Sequence, residues 1–276
     1  LHKLQISQAE TIVENTEKSY LIRSSIMASL NGTLLNDILT GTSENDEIFG
    51  LDGNDEIEGL SGDDTLWGGK NEDIIIDSDG NDLLIGNSGD DLLISGLGDD
   101  TILGGSGNDI IEAKDGDHLI FGNAGKDLIT CGDEDDTIFG GQGDDTIVGG
   151  SGDDRIFGDA KDDVLIGVNV SEDRPGANEI DTLTGGQGSD TFVLGNKSKS
   201  FYTSSGSRDF AIVTDFNIKD KDIFQVRNTS NVKVWNISRD NLGFGAGIFE
   251  DNKQIGFLPG VDAEALKIDR DFVAAK

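Results

Sequence analysis

The sequence predicts an all-β protein whose greater part is a stack of short strands. Three observations carry the prediction. A nine-residue period runs without slippage over residues 32–193; glycine, aspartate and an apolar residue hold fixed positions within it; and the chain's negative charge is confined to the same stretch.

The period comprises 18 blocks, well formed in Gly149-Gly150-Ser151-Gly152-Asp153-Asp154-Arg155-Ile156-Phe157. The sixth position is Asp in 16 of them, the exceptions being His118 and Glu172. The eighth is apolar in 17, the exception being Arg174, and the fourth is Gly in 11. Three chemistries kept in register over this length specify a repeat architecture. Glycine permits positive φ, so the first six residues predict a turn whose carbonyls curl inward. The aspartate places a hard anionic oxygen beside them, and several carbonyls and carboxylates together are what calcium prefers. The last three residues predict a short strand with its middle side chain in a thin core. Such a strand cannot bury its face alone and has to stack on copies of itself.

Charge sharpens this reading. Residues 32–193 hold 40 acids and 6 bases, a net of −34, whereas the rest of the chain holds 14 acids and 15 bases. That segment repels itself unless cations lie among its carboxylates. Nucleic acid is excluded as a partner, because phosphate binding needs clustered Lys and Arg. The lone Cys131 excludes an intrachain disulfide and any Cys-based zinc site, and no apolar run is long enough to span a membrane.

The blocks match the GGxGxDxUx signature, and the chain resembles the RTX, or hemolysin-type calcium-binding, repeat family. The resemblance implies a right-handed parallel β-roll with two blocks per coil and calcium held between successive turns. The ligands it implies are the sixth-position aspartates. With an 18-residue coil they fall into two rows: Asp37, Asp55, Asp73, Asp91, Asp109, Asp127, Asp145, Asp163 and Asp181 in one, and Asp46, Asp64, Asp82, Asp100, Asp136, Asp154 and Asp190 in the other. The Asp37 row keeps Gly at every first position. The Asp46 row carries all four first-position exceptions, Asp77, Ser95, Ala113 and Cys131, together with His118 and Glu172. A fuller line of calcium ions is expected along the Asp37 row. A gap or weak ion is expected beside His118, since imidazole suits softer metals. A zinc site of His118 with Asp115 and Asp117 is a minor alternative, and Cys131 reads as a small residue tolerated in a turn.

The ninth position faces outward. In the Asp46 blocks it reads Phe49, Trp67, Ile85, Leu103, Phe121, Phe139 and Phe157. This is an apolar strip that either docks a partner or a second copy along Phe49, Trp67, Phe121, Phe139 and Phe157, or is covered by residues 1–30 or the C-terminal segment.

The block at 167–175 keeps only its first Gly. Residues 168–178 are expected to form an extruded loop that leaves the 18-residue phase intact. Beyond residue 193 the segments 201–202, 209–216, 222–226, 232–237 and 247–258 alternate as conventional strands, the last a hairpin around Asp251-Asn252. The expected organisation is an N-terminal extension or cap over 1–31, the calcium-binding β-roll over 32–193, and a β-rich cap over 194–276 protecting the last edge. Asp190, Asp215 and Asp222 are candidates for one further calcium. The ending Asp271-Phe272-Val273-Ala274-Ala275-Lys276 resembles the uncleaved signal that type I secretion machinery reads in this family, although Lys276 departs from the purely apolar version.

No catalytic constellation is expected. The two histidines, His2 and His118, lack a partnered nucleophile, and no GxSxG, HExxH, P-loop or dinucleotide motif occurs. The Asp77-Ser78-Asp79-Gly80 run places its Gly too early for an EF-hand. Two functions remain: a secreted or cell-surface bacterial calcium-binding protein acting in surface structure, adhesion or interaction, and the non-catalytic tail of a larger secreted lipase, protease or polysaccharide epimerase. Leu1 in place of an initiating Met favours the second, and the repeats beginning just after Met27 favour the first.

Overall fold

The computed structural model describes residues 11–14, 19–22, 29–171, 175–196, 198–202, 210–227, 230, 232–239 and 243–275. Arg174, Glu172, Met27 and Lys276 lie outside them. The chain divides into two compact units, Leu1–Ile129 and Thr130–Lys276. Among the described residues, apart from 3-10 turns at Ser230 and Ala263–Ala265 and one helical turn at Ile268–Asp271, the regular structure is β.

In the first unit each coil contributes one strand to each of two parallel sheets. One sheet takes Asp37–Thr40, Glu56–Glu58, Ile74–Ile76, Leu92–Ile94, Ile110–Glu112 and Leu128–Thr130. The other takes Ser29–Asn31, Glu47–Asp52, Thr65–Lys70, Leu83–Ser88, Thr101–Ser106 and Leu119–Ala124. The register advances 18 residues per coil, as in Ile57↔Ile75 and Leu66↔Leu84, so two blocks make one turn of a β-solenoid. Side chains alternate across a strand. The eighth positions therefore face one another: Leu39, Ile57, Ile75, Leu93 and Ile111 from one sheet, Ile48, Leu66, Leu84, Ile102 and Ile120 from the other, all fully buried. Burying each such side chain contributes about 1.5–3 kcal/mol. Before the first block, Ser19–Ile22 pairs in parallel with Asp37–Thr40 and antiparallel with Thr11–Glu14. The N-terminal segment thus extends one sheet.

The turns explain the glycines. At Gly80 φ is +149°, and a Cβ there would collide with the carbonyl oxygen of Gly62 one coil away. At three fourth positions that are not Gly, Asn71, Glu134 and Lys161, the backbone keeps the same hand with positive φ.

In the second unit, Thr146–Gly150, Val164–Val168, Thr191–Val193, Ile223–Val226 and Phe272–Ala274 form one parallel sheet. The other runs Thr137–Gln142, Arg155–Ala160, Thr182–Gln187, Ala211–Val213 and Lys253–Pro259, then continues antiparallel through Gly243–Glu250 and Val232–Arg239. The expected hairpin is present, with Asp251 and Asn252 both at positive φ. Phe192, Phe224 and Phe272 carry the core into the last strands, with ring centroids 5.7 and 5.2 Å apart.

One expectation fails here. Ile156 pairs with Leu183 and Leu165 with Phe192, each a step of 27 residues rather than 18. The coil that contains the expected loop of 168–178 holds nine extra residues, so the 18-residue phase is not preserved; Glu172, Asp173 and Arg174 within it lie outside the described residues. The physical reason is local: a block that has lost its aspartate, its fourth glycine and its apolar eighth residue has neither a turn nor a core side chain to offer. The chain therefore skips it. From this point the rows exchange, so that Asp181 follows Asp154 and Asp190 follows Asp163.

Candidate metal centres

The sixth-position aspartates form a backbone ladder. One carboxylate oxygen, Oδ1, accepts the N–H of the aspartate one coil earlier: Asp55 from Asp37, Asp73 from Asp55 and Asp91 from Asp73, each at 2.8 Å, then Asp109 from Asp91 and Asp127 from Asp109 at 2.9 Å. The other row of the first unit repeats this through Asp46, Asp64, Asp82 and Asp100 at 2.7–2.9 Å. In the second unit Asp136 donates to Asp154 and Asp154 to Asp181, while Asp145 donates to Asp163, Asp163 to Asp190 and Asp190 to Asp222. All are almost wholly buried.

The second oxygen is the informative one. Oδ2 of Asp55, Asp64, Asp73, Asp82, Asp91, Asp100, Asp109, Asp154, Asp163 and Asp190 is buried with no hydrogen-bond partner. A buried charge without a partner is costly, and desolvation accordingly pushes these carboxyls upward. Asp55 and Asp91 reach about 6, Asp73, Asp82 and Asp109 about 7, and Asp163 about 8, with neighbouring aspartates adding to the shift. What these oxygens face is set by the first residue of each block. A Cβ built on Gly41 would lie 2.8 Å from Asp46 Oδ2 and 2.6 Å from the carbonyl oxygen of Gly59 one coil on. At Gly50 the same space lies between Asp55 Oδ2 and the Gly68 carbonyl, and at Gly86 between Asp91 Oδ2 and the Gly104 carbonyl. Glycine at the first position thus lets a carboxylate oxygen and a carbonyl oxygen of the next coil approach the same backbone, and together they offer an all-oxygen donor set that suits a hard cation such as calcium.

The ends of the rows differ from their interiors. Asp37 Oδ2 accepts from the Thr33 N–H and hydroxyl, and Asp46 Oδ2 from those of Thr42 at 2.6 and 2.9 Å. Asp181 Oδ2 accepts the hydroxyl of the buried Tyr202. Asp222 Oδ2 accepts the Asn217 N–H at 2.7 Å. Protein groups there take the oxygen that is orphaned elsewhere, because a terminal turn has a coil on one side only. Asp215 spends its oxygens on the Gly185 and Gly186 N–H groups, so the proposed grouping of Asp190, Asp215 and Asp222 does not converge as a ligand set.

His118 takes the place of a ladder aspartate. Its Nδ1 accepts the Asp100 N–H at 3.3 Å and lies 3.5 Å from Asp100 Oδ2, while Nε2 donates to the Lys114 carbonyl at 3.3 Å. The ring preserves the ladder without supplying a carboxylate. Asp115 and Asp117 do not join it in a metal-holding cluster among the described residues. Cys131 is buried, and desolvation holds its thiol well above the ordinary range, which suits a packed rather than a reactive side chain.

Two features lay beyond the sequence reading. The first is a counter-ladder from the fifth position, running in the opposite direction: Asn36 accepts the Asn54 N–H, Asn45 that of Asp63, Asp63 that of Asn81, and Asn81 that of Asp99, all at 2.9–3.0 Å. Its signal was available, since that position is Asn or Asp in 13 of 18 blocks. The second is Asp77, a first-position exception that brings a further carboxylate to Asp64 and Asp82.

The outward strip is half-exposed. Phe49 and Trp67 stack at 4.2 Å in the first unit, and Phe139 and Phe157 at 4.7 Å in the second.

Comparison with known proteins agrees with this geometry. The family described as the RTX calcium-binding nonapeptide repeat matches residues 31–66, 67–102, 103–138, 132–165 and 176–196, more than half of the chain. The chain belongs to this family. Its RTX matches break at 166–175, which overlaps the stretch expected to form a loop at 168–178. Among solved structures, the extracellular lipase LipA from Serratia marcescens is 17% identical, with a TM-score of 0.18, over 84% of this chain and 40% of that one. The chain therefore spans less than half of the lipase's length. No curated protein matches. The RTX assignment and the donor geometry together make this a calcium-binding β-roll. No helix among the described residues is long and apolar enough to cross a membrane.

Proposed function

We propose that this chain is a secreted, non-catalytic calcium-binding β-roll that folds on meeting calcium outside the cell and acts in surface structure, adhesion or interaction. The observation that carries the reading is the line of buried, unpartnered Oδ2 atoms facing glycine carbonyls. Such a fold is poorly supported where calcium is scarce and well supported where it is plentiful, which suits export of an unfolded chain followed by folding outside. Type I secretion machinery would read the C-terminal residues before folding. In the folded chain the same residues supply the strand Phe272–Ala274, with Phe272 buried. The half-exposed pair Phe49 and Trp67 is the proposed self-association surface.

Fractionation of a producing bacterium tests location. Recovery from medium or cell surface supports the reading, and retention in the cytoplasm overturns it. Sedimentation of Trp67→Ser in calcium tests the surface: the variant is expected to fold normally and lose any calcium-dependent dimer.

A further inference from the structure

In the Asp46 row of the first unit, the block that begins at residue 77 replaces the usual first-position glycine by aspartate. The consequence is specific to this coil. One carboxylate oxygen from each of Asp64, Asp77 and Asp82 lies within 4.8 Å of the others. All three residues are at most 3% exposed. Asp77 Oδ1 accepts the Ser78 N–H at 2.7 Å, while its Oδ2 is buried without a partner, as are Oδ2 of Asp64 and Asp82. The space between them is kept open by Gly59, on which a Cβ would collide with both Asp77 Oδ2 and Asp64 Oδ2. Elsewhere along the rows that position offers a neutral glycine carbonyl; here a second-coil carboxylate reaches in as well.

We propose that Asp64, Asp77 and Asp82 form a three-carboxylate calcium site that fills before the ordinary two-carboxylate steps of the array. This rests on the calcium-binding reading above and goes beyond the repeat pattern, which assigns no ligand to the first position's side chain. With calcium–oxygen distances of about 2.3–2.6 Å, oxygens up to about 5 Å apart can share one ion. Magnesium, at about 2.0–2.1 Å with near-ideal octahedral demands, fits the same spread poorly. Calcium affinity rises with the number of charged ligands and the rigidity of the site. The third carboxylate supplies the first, and the ladder bonds from Asp46 to Asp64 and from Asp64 to Asp82 supply the second. The first ion to bind would then order this coil and offer its neighbours a template.

Calorimetric calcium titration of the full chain, with Asp77→Gly and Asp77→Asn beside it, tests this. Asp77→Gly restores the residue that most other blocks carry at that position, and Asp77→Asn keeps the volume while removing the charge. Circular dichroism at saturating calcium should be the same for all three. The wild type is expected to show one calcium at least about tenfold tighter than the rest, absent from both variants, with magnesium unable to fill it. First-ion affinity that is equal or tighter in Asp77→Gly overturns the three-carboxylate site while leaving calcium-dependent folding intact. A wild-type chain that takes up no calcium overturns the calcium reading itself.

Discussion

Each interior aspartate has two oxygens with separate tasks. Oδ1 belongs to the backbone ladder, as in the 2.8 Å bond from Asp73 N–H to Asp91, and Oδ2, as in Asp91, is the oxygen open to a cation. An amide can do the first task and not the second. Asp91→Asn should therefore lose about 1.4–2.7 kcal/mol of stability at calcium tenfold to a hundredfold above the site Kd. In chelator it should show as much β-signal as the wild type or more, because a buried unpaired carboxylate has been removed. A denaturant melt in calcium and the far-ultraviolet circular dichroism spectrum in chelator check the reversal. His118→Asp should act in the opposite direction, adding a carboxylate opposite Asp100 and lowering the calcium concentration at the folding midpoint. An unchanged midpoint would mean that the imidazole does not weaken that step. At this scale the sequence was informative: strict sixth and eighth positions named both the ladder aspartates and the core. It was silent on Tyr202, whose hydroxyl reaches Asp181 from outside the period, since long-range partners leave no periodic trace.

Rows behave as elements. In the metal-free fold their carboxyls are raised from the ordinary 3.8 to about 6 for Asp55, about 7 for Asp109 and about 8 for Asp163, by desolvation first and by neighbouring charge after it. A raised folded-state value means that the fold prefers the protonated form. This contribution is complete below about pH 4 and is lost as pH rises through about 6–8. In chelator, the β-signal is therefore expected to grow on acidification from pH 8.5 to pH 5, and a flat profile would count against these burial-driven shifts. At the row's end, Tyr202→Phe would orphan Asp181 Oδ2 beside the extruded loop, a cost of about 1–3 kcal/mol that differential scanning calorimetry would read as a lower Tm. The loop's existence was legible in the loss of block chemistry around Pro175. Its effect on phase was not, because nine extra residues preserve the count of blocks and only strand pairing reveals that one block has left the stack. The Asn/Asp counter-ladder has a weaker trace, since the fifth position is Asn or Asp in 13 of 18 blocks whereas the sixth is Asp in 16.

On the scale of the whole molecule, residues 32–193 carry a net charge of −34 over a core one side chain thick. Each coil adds only two eighth-position side chains to that core, and its carboxylates repel one another, so cations at the Oδ2 atoms are expected to contribute to the fold. The RTX signature made this dependence legible from the first repeat onward. What it left open was which carboxylates depend on an ion, and Thr33, Thr42, Tyr202 and Asn217 now mark where the protein satisfies its own ends. The most direct test is far-ultraviolet circular dichroism of the full chain titrated with calcium from a chelator-treated start at pH 7.5. The account predicts a largely disordered spectrum that converts cooperatively to β on adding calcium and reverts on chelation; a full β-spectrum already present in chelator would contradict it.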